Sequence, residues 1–174
     1  MIRTALAFVL LLPVLAALAC GDAPSQLPEP TACPTPAAQP ASRQPGPNAG
    51  GYRLTVSRGV DRLGELLRQF RDRWPDGKFS RQADFRTDFA RYVDDSVCLV
   101  QSLGALPAPG PTFEAFTTEF ASVSQTFQKV QSDGRAAVGA RNVSGYRDWG
   151  KAVDEQMGAF GLSLAKLPAG GRPP

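Results

Sequence analysis

Between Val56 and Leu167 the chain repeats one pattern four times: large apolar residues return every three or four positions, and then a cluster of proline or glycine interrupts the run. Such spacing places side chains on one stripe of an α-helix, whereas a half-buried strand needs alternation at every second position. The first stripe is Val56, Val60, Leu63, Leu67, Phe70 and Trp74, closed by Pro75-Asp76-Gly77. A second, Phe85, Phe89, Tyr92, Ser96, Leu99, Leu103 and Leu106, follows Ser80 as a candidate N-cap and ends in the run LPAPGP. The third opens at Thr112, another candidate cap, with Phe113, Phe116, Phe120, Val123, Phe127 and Val130; it is expected to fray near Asp133-Gly134 and from Gly139 to Asn142. The fourth carries Tyr146, Trp149, Val153, Met157, Phe160, Leu164 and Leu167, and Pro168 closes it. Convincing alternation at period two is absent, so the pattern predicts an all-α domain over residues 52–168. Its expected form is an antiparallel up-down-up-down four-helix bundle. Three helices with a docked fourth would follow from a longer connection through Gly139 to Gly145. The ten phenylalanines of the chain are expected to dominate either core.

The N-terminus is of another kind. After Arg3, residues 5–19 (ALAFVLLLPVLAALA) carry no charged or strongly polar side chain. Fifteen residues of helix reach about 22 Å, short of the ~30 Å hydrocarbon core of a bilayer, and Pro13 weakens the helix further. The segment therefore reads as the apolar region of a signal peptide, residues 1–19. Ala16, Ala17, Leu18 and Ala19 lead directly into Cys20. This resembles the lipobox of bacterial lipoproteins, in which the thiol is joined to a diacylglyceryl group and a signal peptidase cuts just before the cysteine. The resemblance implies lipid attachment at Cys20, partnership with a membrane through that lipid, and a place on the extracytoplasmic side of the envelope. It implies neither a fold nor an activity. Ala17-Leu18-Ala19 also fits ordinary signal-peptide cleavage, which would make the chain a secreted protein.

Residues 21–51 hold eight prolines, three charges and few large apolar side chains. A stretch of this composition buries too little surface to offset its ordering entropy. Together with Cys20 it reads as a linker, 20–51, whose full extension would place a domain up to about 90 Å from a bilayer. Residues 169–174 read as a tail. If Cys20 carries lipid, Cys33 in the linker and Cys98 on the second helix remain, and Cys98 lies off the apolar seam. Outside the cytoplasm two such thiols are expected to form a disulfide that pins the linker to the bundle; two unpaired thiols are the alternative.

Gly145, Gly150, Gly158 and Gly161 lie in or near the fourth helix, where each interior glycine costs ~1 kcal/mol relative to alanine. Either they let that helix approach a neighbour closely, or Gly158 and Gly161 leave an apolar pocket beside Trp149 and Phe160 for a small molecule. Other chemistry is mostly excluded. With no histidine in the chain, the commonest general base and metal ligand are missing. The sequence offers no C-x-x-C, no phosphate-binding glycine loop and no metal-ligand set, so no cofactor is expected. Asp84, Asp88, Asp94 and Asp95 lie among Arg81, Arg86 and Arg91 and read as a salt-bridged outer face. A net charge of +3, with basic and acidic residues interleaved, is not the clustered basic face that nucleic acid needs. The expectation is a non-catalytic, lipid-anchored bundle that meets an envelope protein or serves envelope structure, recognisable by an exposed apolar patch of more than a few hundred Å². A small-molecule-binding or sensor bundle is the alternative.

Overall fold

The computed structural model describes residues 27–34, 48–75 and 82–168. The leader, Cys20, the candidate cap Ser80 and the tail lie outside these residues. Four helices follow one another: α1 (Ala49–Arg73), α2 (Ala83–Gly104), α3 (Glu114–Gly139) and α4 (Val143–Ala165). Each helix packs against the next, and α4 returns to α1, so the four form a closed antiparallel ring. The fold is the expected all-α four-helix bundle, and none of the described residues is in a strand.

The helix boundaries follow from capping chemistry. Asn48 begins α1 because its Oδ1 accepts the Gly51 amide at 2.7 Å, so the helix opens three residues before the expected boundary. Thr112 does not cap α3; it lies inside a 3₁₀ turn, Pro111–Phe113, that leads into the helix. No fraying occurs at Asp133-Gly134, because α3 continues to Gly139. There the Asn142 amide donates to the Ala137 carbonyl at 2.8 Å and the Arg141 amide to that of Val138 at 3.0 Å, with Arg141 at φ 55°. These bonds make a Schellman stop. Asn142 then serves the next helix, its Oδ1 accepting from the Gly145 amide at 3.0 Å. One residue ends α3 and begins α4, so the two helices turn back on each other with almost no loop.

The core has two aromatic halves. Around Phe160, which is fully buried, Phe120 and Phe127 lie with ring centroids at 5.3 and 5.7 Å. Around Trp149, in the half that holds the α3–α4 turn, lie Phe89 at 4.9 Å and Tyr146 at 5.2 Å, with Tyr92 at 6.0 Å. The Trp149 ring rests on Gly134, where a Cβ would come within 2.2 Å of the indole. That contact is why a glycine interrupts α3 without breaking it: the aromatic surface buried there offsets the propensity lost.

One polar group is sealed among these rings. Gln131, with no exposed surface, donates through Nε2 to the Tyr92 hydroxyl at 3.1 Å and accepts the Trp149 Nε1–H at 3.2 Å. The node ties α2, α3 and α4 in one register, since a slip of any of them would leave buried polar atoms without partners. Burial pushes the Tyr92 phenol up to about 12, whereas the same group ionises near 10 when unfolded. A raised phenol pKa stabilises the fold fully below pH 10 and progressively less as the pH climbs toward 12. Urea unfolding midpoints are expected to fall by an amount equivalent to roughly 3 kcal/mol across that interval. Tyr92→Phe is expected to be less stable than wild type at pH 8 by about 1–3 kcal/mol, with Gln131 left short of a partner, and to lose most of the alkaline step. An identical alkaline step in Tyr92→Phe would show that the node does not titrate.

Candidate functional site

Residues 27–34, LPEPTACP, fall in the stretch expected to be a linker, yet they lie across the outside of α2 and α3 as a strap. Proline explains how so short a piece can dock. Pro28, Pro30 and Pro34 have no amide hydrogen to satisfy and a preset φ, so few donors need partners and little chain entropy is lost. The amide of Thr31 finds Asp94 Oδ2 at 3.0 Å. The carbonyl of Pro28 accepts from Arg135 Nη2. Leu27 packs on the Trp149 half of the core and against Gly139, where a Cβ would come within 3.3 Å of its methyl group.

Asp94 and Arg135 join these contacts. Arg135 Nη1 lies 2.9 Å from Asp94 Oδ1, and the two side chains retain 16% and 13% of their exposure in that order. Both carboxylate oxygens are used, one by the guanidinium and one by the strap. A half-buried pair of this kind holds position better than a surface pair, because its charges are already partly desolvated and hydrogen-bonded. A covalent bond fastens the lower end: Cys33 and Cys98 are joined, with Cα atoms 5.1 Å apart and a sequence separation of 65. Between strap, α1 and α2 runs an open groove of 650 Å³, with Leu66, Ala90 and Leu99 along its floor and Arg62, Arg91 and Asp95 at its rim.

Trp149, Phe160, Gly158 and Gly161 do not come together as a pocket. Trp149 and Phe160 belong to opposite halves of the core, 11 residues and so about 16 Å apart along α4. Gly158 and Gly161 are exposed, and a Cβ added at either meets nothing within 4 Å. Close approach holds only at Gly145, whose Cβ would lie 2.9 Å from that of Ala137 on α3; at Gly150, Gly158 and Gly161 nothing is near. Gly150 instead exposes its carbonyl, which accepts from Arg71 Nη2 at 3.1 Å while Arg71 Nη1 pairs with Asp154 at 2.6 Å. Trp149 does border a separate 510 Å³ groove between α3 and α4, walled by Ala136, Ala137 and Ala152.

The acidic and basic residues of α2 are not a uniform outer face either. Arg86 is 4% exposed. Asp88 accepts the Trp74 Nε1–H at 3.0 Å and pairs with Arg73 at 3.1 Å, which closes the end of α1 onto α2. At the opposite end Glu119 receives Lys166 at 2.8 Å and the Ser163 hydroxyl at 3.1 Å; the lysine contact holds its carboxyl below the ordinary value. Among the described residues there is no group of three or more Cys, Asp or Glu placed to hold a metal. Comparison of the chain with protein-family models, curated proteins and solved structures finds no match.

Of the strap and its seat on the bundle, only Cys33 and Cys98 carry a signal in sequence. Asp94 and Arg135 look like any surface charges, and Leu27 is marked only as a large apolar residue in a stretch poor in them. A loop of this length lowers denatured-chain entropy by an amount equivalent to about 4 kcal/mol at 25 °C. The Cys33→Ser/Cys98→Ser variant is expected to keep its helical circular dichroism and lose about 2–4 kcal/mol in urea unfolding. An unchanged midpoint would show that the bond adds nothing to the fold.

Proposed function

We propose that this chain is a bacterial envelope lipoprotein, anchored by a diacylglyceryl group on Cys20. On this reading its helical bundle works without catalysis on the extracytoplasmic side, in protein interaction or in envelope structure. The observation that supports the reading best is the Cys33–Cys98 disulfide. Such a bond persists where the surroundings are oxidising, the kind of place to which a leader of residues 1–19 would deliver the chain. With two of the three cysteines joined to each other, Cys20 is the thiol left for lipid.

The bundle itself supports a tethered body rather than an inserted one. No helix among the described residues is long and apolar enough to cross a membrane. Among the described residues its large exposed apolar side chains are Leu54 on α1 and Leu162 on α4, 50% and 69% exposed, too few for the exposed patch of more than a few hundred Å² that was expected. A partner would therefore meet a mainly polar surface.

Fatty-acid labelling in cells tests the anchor. The mature chain is expected to carry label, to sediment with membranes and to begin at Cys20, and Cys20→Ser is expected to lose label and membrane attachment together. A wild-type chain recovered from cytosol with its leader intact and Cys20 unmodified would overturn the reading.

A further inference from the structure

The strap leaves the body at a defined place, and that place bears on how the body stands. Leu27 lies against Gly139, in the last turn of α3. This is the end of the bundle that holds the α3–α4 turn, the close of α1 and the start of α2. Residues 21–26 alone separate Leu27 from Cys20, and seven backbone steps span at most about 25 Å. Without the strap, the next described residue after Cys20 is Asn48, the cap of α1, at the opposite end of the bundle. From Cys20 to Asn48 the chain could reach about 100 Å.

Resting on the reading of Cys20 as a lipid anchor, we propose that the Cys33–Cys98 bond turns a long leash into a short one. It thereby holds the α3–α4 turn end of the bundle toward the lipid headgroups and presents the α2–α3 connection, residues 105–113, away from them. Helix α3 has 26 residues and so a length of about 39 Å. An inverted stance would lift Leu27 by nearly that distance, past the ~25 Å that the chain can span. Among the described residues the facing end mixes Arg71, Arg73, Arg141, Arg147 and Lys151 with Asp72, Asp84, Asp88, Asp148 and Asp154. Charge attraction to anionic lipid is thus too balanced to set the stance. The leash sets it, and any envelope partner finds the far end of the bundle and its flanks.

The test uses acylated full-length mature protein, recovered from membranes and reconstituted into phosphatidylcholine vesicles that carry a headgroup quencher. A dye is placed by a bio-orthogonal side chain at residue 147, exposed in the first turns of α4, or at residue 108, exposed in the α2–α3 connection. Strong quenching is expected at 147 and none at 108, and the difference is expected to be lost in Cys33→Ser/Cys98→Ser. Equal quenching at both positions, or more at 108, with Cys20 acylated and the disulfide intact, would overturn the stance while leaving the lipoprotein reading in place. A difference that survives removal of the bond would overturn the role given to the disulfide. Mass analysis showing a bare Cys20 would overturn both.

Discussion

The bond between Cys33 and Cys98 determines where the folded body begins. Without it, a stretch with eight prolines has too few apolar side chains to hold itself against a helical surface. With it, the neighbouring residues are kept close enough for weak contacts to form: the Thr31 amide on Asp94, the Pro28 carbonyl on Arg135 and the Leu27 methyl groups over Gly139. The covalent link supplies proximity, and the polar contacts then fix direction. The same link binds the strap to α2, while Arg135 binds it to α3, so it bridges two neighbouring helices from outside.

Inside, the bundle relies on aromatic packing given a single register by one amide. Apolar rings alone tolerate sliding, because one ring can replace another at similar energy. Gln131 removes that freedom by bonding Tyr92 of α2 and Trp149 of α4 from its place on α3. Gly134, one turn further along, lets the indole sit where that bond can be made. The turn built on Arg141 and Asn142 then keeps α3 and α4 adjacent at this end. Packing, polar contact and turn chemistry thus specify the same arrangement, as expected of a chain with one folded state.

Helix number, type and order were legible in sequence, because apolar spacing of three and four persists through each element. The detail of the core was not. Along α3 the buried line runs through Phe116, Phe120, Ser124, Phe127, Gln131, Gly134 and Val138, whereas apolar spacing alone selects Val123 and Val130. From Phe120 to Val138 the buried steps alternate four and three, so the seam passes through Ser124 and Gln131, each one residue beyond Val123 and Val130, and small and polar residues come to occupy core positions. The disulfide was legible from cysteine number and from the off-seam place of Cys98. The Asp94–Arg135 seat was not, since its residues acquire meaning only when a segment 63 residues distant from Asp94 lies across them. Glycines of α4 misled for a related reason: a glycine in sequence does not reveal whether it faces a neighbour, as Gly145 does, or solvent, as Gly158 and Gly161 do.

If Cys20 carries the proposed lipid, the disulfide-fastened strap leaves few residues between membrane and folded body. The most direct measurement is non-reducing peptide mapping of the mature chain taken from membranes, with free thiols blocked at lysis. The expected result is a single species in which the Cys33 and Cys98 peptides are cross-linked and the Cys20 peptide carries the mass of a diacylglyceryl group. Blocked Cys33 and Cys98, or a Cys20 peptide without lipid, would contradict it.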